Sequence, residues 1–184
     1  MNNKIEYCEK LMDNAFTLLE ECQPSKALKI GEKLRKLKYS GAFEIIARAY
    51  ADLEKIDRAV KVLEEGVTKA SDVWRLWQLL GNYYSETKKY QKAFQIYKKG
   101  LLCSNADKVS LNYNYALALT RGKQYKQALF KINEIIRLAE FNNANRDVIL
   151  LIYKLKIELL NIFVPKICQE IFSVITTDGC VIGR

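Results

Sequence analysis

Histidine is absent from this 184-residue chain. With it go the commonest general base and the commonest metal ligand. Ser-His-Asp and Cys-His catalysis within the chain are excluded, as is any zinc site that uses His. The five cysteines, at 8, 22, 103, 168 and 180, form no C-x-x-C pair. That removes zinc knuckles and thioredoxin-type motifs. Scattered thiols of odd number suit a reducing compartment and read as small buried hydrophobes. Only 2 prolines (Pro24, Pro165) and 8 glycines interrupt the chain. So few breakers exclude a fold of many strands and turns and point to long helices. No apolar run is long enough to span a bilayer: the nearest, Val148 to Val164, is broken by Lys154, Lys156 and Glu158. The opening stretch, Met1 to Phe16, carries Glu6, Glu9 and Asp13 and shows no secretory signal. A soluble, cytoplasmic protein is expected.

Apolar residues make up 49% and charged residues 28%, an ordinary globular balance. The length suits one domain with a substantial core. The net charge of +9 is uneven. Residues 1–70 hold 13 Lys/Arg against 12 Asp/Glu, and residues 71–184 hold 17 against 9. Such asymmetry suits an anionic partner, and equally a solvated surface that keeps the protein soluble.

Small residues recur in pairs 12 positions apart: Ala15 and Ala27, Ala47 and Ala59, Gly81 and Ala93, Ala116 and Ala128. Successive pairs are offset by 32, 34 and 35 residues. Two antiparallel helices joined by a short turn approach closely only where facing side chains are small. Larger residues stand around each pair. Leu18, Tyr50, Tyr84 and Leu119 lie three after the first small residue, and Leu11, Phe43, Trp77 and Asn112 four before it. Asn112 is a misfit beside Leu111 and Tyr113, and Gly31 takes a place that Leu63, Tyr97 and Ile132 fill elsewhere. Helices are expected at about 4–21, 25–37, 41–53, 57–69, 73–87, 90–103, 108–121, 124–139, 146–161 and 164–176. Ser71-Asp72 and Asn105-Ala-Asp107 sit where they can cap the helices that follow.

The segment Trp77-Gln-Leu-Leu-Gly81-Asn-Tyr-Tyr84, followed by Ala93 and Tyr97, resembles the tetratricopeptide repeat, with its W-x-x-L-G-x-x-Y, then Ala, then aromatic pattern. Residues 40–73 and 74–107 match in full register, 109–142 from Tyr115 onward, and 8–39 loosely. The closing proline usual in that family is missing. The resemblance implies an all-α fold: a right-handed superhelical solenoid of antiparallel helix pairs, about four repeats plus a degenerate C-terminal helical cap. A single domain over 1–176 is expected, with units 8–39, 40–73, 74–107 and 109–142, an atypical cap over 144–176 and a loose tail over 177–184. Asn142 to Asn145 reads as a loop. Val148 to Val164 is apolar on most faces and is expected to be buried, and Pro165 to break or start a helix. The segment 146–176 is richer in large apolar residues than a cap requires, so it either folds back into the superhelix or makes a homodimer interface.

Family resemblance also implies a concave groove, lined by the first helix of each repeat, that holds a peptide or helix of another protein. The residues placed there are Glu44, Arg48, Arg75, Gln78, Asn82, Tyr113, Asn114, Leu117 and Arg121. Gly81-Asn82 and Asn114 match the two asparagines with which some members clamp a carboxylate tail, but Gln78 stands where their lysine is expected. The implied function is a protein-interaction module, a small adaptor or chaperone-like scaffold. A second reading takes Lys88, Lys89, Lys92, Lys99, Lys123 and Lys126, with nearby tyrosines, as a nucleic-acid or anionic-surface contact. A third is self-association through 146–176. No catalytic residue, metal or cofactor is expected, and the protein reads as a non-enzyme. Arg121-Gly-Lys123 is a turn and not a phosphate-binding loop, and adjacent pairs such as Glu64-Glu65 do not share a helix face.

Overall fold

The computed structural model of the chain describes residues 2–141 and 146–177. They form an all-α solenoid of antiparallel helices. The order is α1 (Asn2–Glu20), α2 (Pro24–Lys36), α3 (Ala42–Asp52), α4 (Ile56–Lys69), α5 (Trp74–Glu86), α6 (Tyr90–Gly100), α7 (Lys108–Arg121), α8 (Tyr125–Phe141) and α9 (Arg146–Thr177). The loop expected at 142–145 and the tail beyond Thr177 lie outside the described residues.

The repeated small residues lie where the helices of a pair meet. Ala15, Ala27, Ala47, Ala59, Ala93, Ala116 and Ala128 are all fully buried. At Gly81 a Cβ would stand 2.7 Å from Cε1 and 2.8 Å from Cζ of Tyr97, so the ring occupies the space a side chain would need. Tyr97 is itself 1% exposed and stacks on Tyr115 at 5.6 Å between ring centroids. Gly31 has a comparable use. A Cβ there would lie 2.6 Å from Cγ1 of Ile46, so the glycine that departs from the pattern lets α3 approach α2.

A second repeat runs through the turns. Cys22, Glu54, Lys88 and Lys123 each adopt a left-handed φ of 57–60°. Each stands seven residues after the first small residue of its unit. After α5, the Lys89 N–H bonds the Tyr84 carbonyl and the Lys88 N–H that of Ser85, closing the helix end. This position usually falls to glycine, and here the pairing geometry holds side-chain-bearing residues in it.

Of the two expected caps, one forms. Asp107 Oδ1 accepts the Ser110 N–H at 3.0 Å and starts α7. Ser71-Asp72 does not cap α5, whose N-cap is Val73. Instead the Ser71 carbonyl accepts the Trp77 indole N–H at 2.8 Å and the Cys103 thiol at 3.4 Å, tying two units together. Asn112 is 1% exposed and its Oδ1 has no partner among the described residues. The adjacent Leu111, fully buried under Gly100 and Trp77, supplies the apolar contact at that junction.

The C-terminal segment corrects the expectation. No helix pair forms there: α9 runs unbroken for 32 residues with Pro165 inside it. Nor is Val148–Val164 well buried. Ile152, Leu155 and Leu159 face the core at 1%, 6% and 1% exposure, but Leu150, Ile157 and Val164 are about half exposed. Helix α9 packs lengthwise on α8, and Phe163 reaches Tyr125 at 6.1 Å.

Two substitutions separate the crossing from the turn. Gly81→Ala is expected to lose about 1–2 kcal/mol, because overpacking against Tyr97 outweighs the gain in helix propensity. Lys88→Gly is expected to gain up to about 1 kcal/mol by relieving the left-handed backbone. Urea unfolding followed by circular dichroism checks both signs.

Candidate functional site: the inner face of the odd-numbered helices

The curvature follows from which helices touch. Helix α1 packs on α3, α3 on α5 and α5 on α7, while the even-numbered helices up to α8 make no comparable contact with one another. The odd helices are therefore the closely spaced inner wall and the even helices the outer one. All nine residues assigned to the groove from the sequence stand on this wall, on α3, α5 and α7.

Side chains cross-link the wall. On α3, Arg48 Nε and Nη2 donate to Glu44 Oε1 at 3.0 and 2.9 Å. Glu44 is 6% exposed, and the Arg48 guanidinium also sits 5.9 Å from the Phe16 ring centroid of α1. A buried carboxylate is costly unless paired, and this pairing explains Glu44 without a ligand. Between α5 and α7, Gln78 Nε2 donates to Ser110 Oγ at 2.6 Å. Asn114 Nδ2 donates to the Ser110 carbonyl one turn back at 3.1 Å. Asn82 Oδ1 accepts the Tyr97 hydroxyl at 2.6 Å.

This last bond changes the meaning of Asn82. Its oxygen satisfies a buried phenol of the outer helix α6, a partnership that the sequence pattern did not disclose. Spacing on one helix says nothing about which hydroxyl arrives from the next. Among the described residues no hydrogen bond joins Asn82 to Asn114. Each is committed to the scaffold through one group, leaving Asn82 its amide N–H pair and Asn114 its carbonyl oxygen. Arg75 and Arg121 are exposed, and Tyr113 and Leu117 are half-buried between them along the wall. Among the described residues neither Arg75 nor Arg121 has a carboxylate partner.

Burial holds the phenols beneath the wall neutral. Tyr83 and Tyr84 are pushed up from about 10 to about 12, chiefly by burial, and the Glu64 carboxylate that accepts the Tyr84 hydroxyl adds to the second shift. Tyr97 moves the same way for the same reason, with Arg121 opposing. Burial also raises the Cys103 thiol above its ordinary value, which keeps it protonated and unreactive.

The six lysines of the second reading are not one cluster. Lys92 and Lys99 lie on the outer helix α6, with ammonium groups 5.5 Å from the Tyr84 ring and 5.7 Å from the Trp77 ring. Lys88 and Lys89 form the turn before α6. Lys123 and Lys126 share a cavity of about 360 Å³ with Tyr125, Phe163 and Lys166. Lys166 donates to the Tyr125 hydroxyl at 3.0 Å. It arrives 41 residues away in sequence, through the α8–α9 pairing, so the sequence reading missed it. Among the described residues no three metal-binding side chains converge, and no helix is long and apolar enough to cross a membrane.

This architecture is that of a tetratricopeptide-type helical-repeat protein. Residues 45–152 match a family model described as a domain of unknown function (DUF7017), and the chain belongs to that family. No match was found among the curated proteins. Solved structures share the fold at low identity. The kinesin-light-chain-type protein of Podosopora anserina, with nearly identical TPR-like repeats, superimposes with a TM-score of 0.71 at 13% identity, covering 92% of each chain. A thermophilic TPR protein of Thermus thermophilus gives 0.69 at 20% identity over 80% of each chain. Pseudomonas aeruginosa PilF gives 0.71 at 17% identity, covering 86% of this chain and 70% of the other.

The raised phenols carry a pH dependence. Folding favours the neutral form, so their contribution is intact below pH 10. Above it the unfolded chain sheds protons that the fold retains, and stability falls as pH rises through 12. The slope is up to ~1.4 kcal/mol per pH unit for each tyrosine. Unfolding midpoints in urea at alkaline pH, alongside tyrosinate absorbance, measure it.

Proposed function

We propose that the protein is an interaction module that holds an extended peptide or a helix of a partner protein against the inner face of α3, α5 and α7. The observation that carries this reading is the arrangement on α5 and α7. Exposed Arg75 and Arg121 flank half-buried Tyr113 and Leu117, on a wall already rigid through the Gln78–Ser110 and Asn82–Tyr97 bonds. Apolar surface supplies area, and the exposed guanidinium groups donate to carboxylates in bidentate geometry or singly to carbonyl oxygens. A partner segment with acidic residues beside apolar ones fits best. The role is that of a small adaptor or chaperone-like scaffold, and the repeat folds named above support a protein partner in general terms.

A second reading, contact with an anionic partner, rests on the basic cavity of Lys123, Lys126 and Lys166, where none of the lining residues is acidic. It uses none of the groove residues on α3, α5 and α7, so the two readings are separable.

The test is affinity capture from native lysate with and without nuclease, using wild type and a combined Arg75→Ala, Tyr113→Ala, Arg121→Ala variant. Asn82 is left intact, because its loss strands the Tyr97 hydroxyl at about 1–3 kcal/mol. A protein retained after nuclease and lost in the variant, with unchanged thermal unfolding, is the expected result. Undiminished capture by a folded variant overturns the groove. Capture that vanishes with nuclease, and weakens steeply with salt, moves function to the lysines.

A further inference from the structure

Helix α9 has two apolar faces. One faces α8 through Ile152, Leu155 and Leu159, all buried. The other begins two residues earlier, roughly 200° around a helix of 3.6 residues per turn. There Leu150, Tyr153, Ile157 and Val164 leave 54%, 39%, 57% and 50% of their surface uncovered. These residues keep a seven-residue register. Leu150, Ile157 and Val164 occupy one position of the heptad, and Tyr153, Leu160 and Ile167 the other. The same spacing returns in the sequence at Ile171 and Val174. Neither position carries a charge anywhere in this stretch: Lys154, Lys156 and Glu158 all fall outside the seam. Sustained apolar residues at both positions are what a helix needs to pack along a second helix, knobs into holes.

The fold also leaves α9 without an outer mate among the described residues. By position α9 is the inner helix of a fifth pair, following α8 as α7 follows α6. In the four preceding pairs the inner helix carries a small residue where its outer mate crosses. Thirty-five residues after Ala116, α9 carries Leu151, which is 50% exposed. Among the described residues the helix then continues through Pro165 to Thr177 without turning back. Pro165 lies next to Val164 but off the seam, so its ring does not enter the packing surface.

We propose that this face is a self-association seam, covered in solution by α9 of a second copy of the chain. Area favours that occupant. The seam residues Leu150, Tyr153, Ile157 and Val164 expose roughly 350 Å² of apolar side chain, within the size range of a functional patch on a soluble protein. Two such faces, with the polar side chains that flank them, approach the ~1,000 Å² that a specific interface must clear. Register favours it too, since two copies of one heptad seam match layer for layer around a two-fold axis. The proposal does not rest on the groove, which lies on α3, α5 and α7.

Sedimentation equilibrium of the full chain, across about 1–100 µM, tests it. Three variants accompany the wild type: Ile157→Glu, Leu150→Glu, and Phe130→Glu as a control on α8, 69% exposed and off the seam. Circular dichroism melts establish that each is folded. The expected result is a wild-type mass approaching twice 21.3 kDa. Either seam variant that folds is expected to weaken association at least about tenfold, while Phe130→Glu associates like wild type. A wild type that stays monomeric overturns the proposal. So does association that survives a folded seam variant, or that Phe130→Glu abolishes equally.

Discussion

The structure depends on how closely two helices can approach. Where α5 meets α6, Gly81 lies under the Tyr97 ring with no room for one additional carbon. The equivalent sites are alanines with no exposed surface. From this contact the rest of each unit follows. The turn falls seven residues after the first small residue, and its left-handed residue recurs at 22, 54, 88 and 123. A crossing at fixed distance from a fixed turn is a rigid building block. Stacking such blocks buries a continuous core that no single pair encloses. Helix α3 shows the consequence: Ile45, Ile46 and Ala49 join the core with α1 and α2, while Phe43 and Ala47 join the core of the later units.

The same stacking decides which side chains are available for function. Polar residues on the inner helices meet partners within their own helix, across the wall or on the outer helix before any ligand arrives. Gln78 is engaged by Ser110, Glu44 by Arg48, and Asn82 by Tyr97. The polar residues of the odd helices thus divide between those committed to the scaffold and those left exposed. Arg75 and Arg121 are in the second group. Outer-helix lysines divide likewise. Lys92 and Lys99 cover aromatic rings of the inner helices, where their aliphatic stems shield apolar surface.

Helix α9 is where local sequence and final structure part. A proline after a long apolar run argues locally for a boundary. Yet a proline inside a helix removes a single backbone bond, whereas ending the helix leaves several carbonyls without partners. Packing of Phe163 and Lys166 against Tyr125 on either side of Pro165 holds the helix in line. The run was legible as apolar on most faces. That it is apolar on two opposite faces, one buried against α8 and one open, depends on where α8 lies.

Sequence alone determined the repeat: its helices and its small-residue crossings. All of these arise from contacts within about forty residues, whose periodicity is written along the chain. Only tertiary structure decided that Asn82 serves Tyr97, that Ser71 ties two units through its carbonyl, and that Lys166 joins Lys123 and Lys126. Each joins residues from different helices or turns through a backbone carbonyl, a hydroxyl or a long flexible side chain. Periodicity records which face a residue occupies, but a hydrogen bond or shared cavity depends on the distance between faces, which packing alone sets.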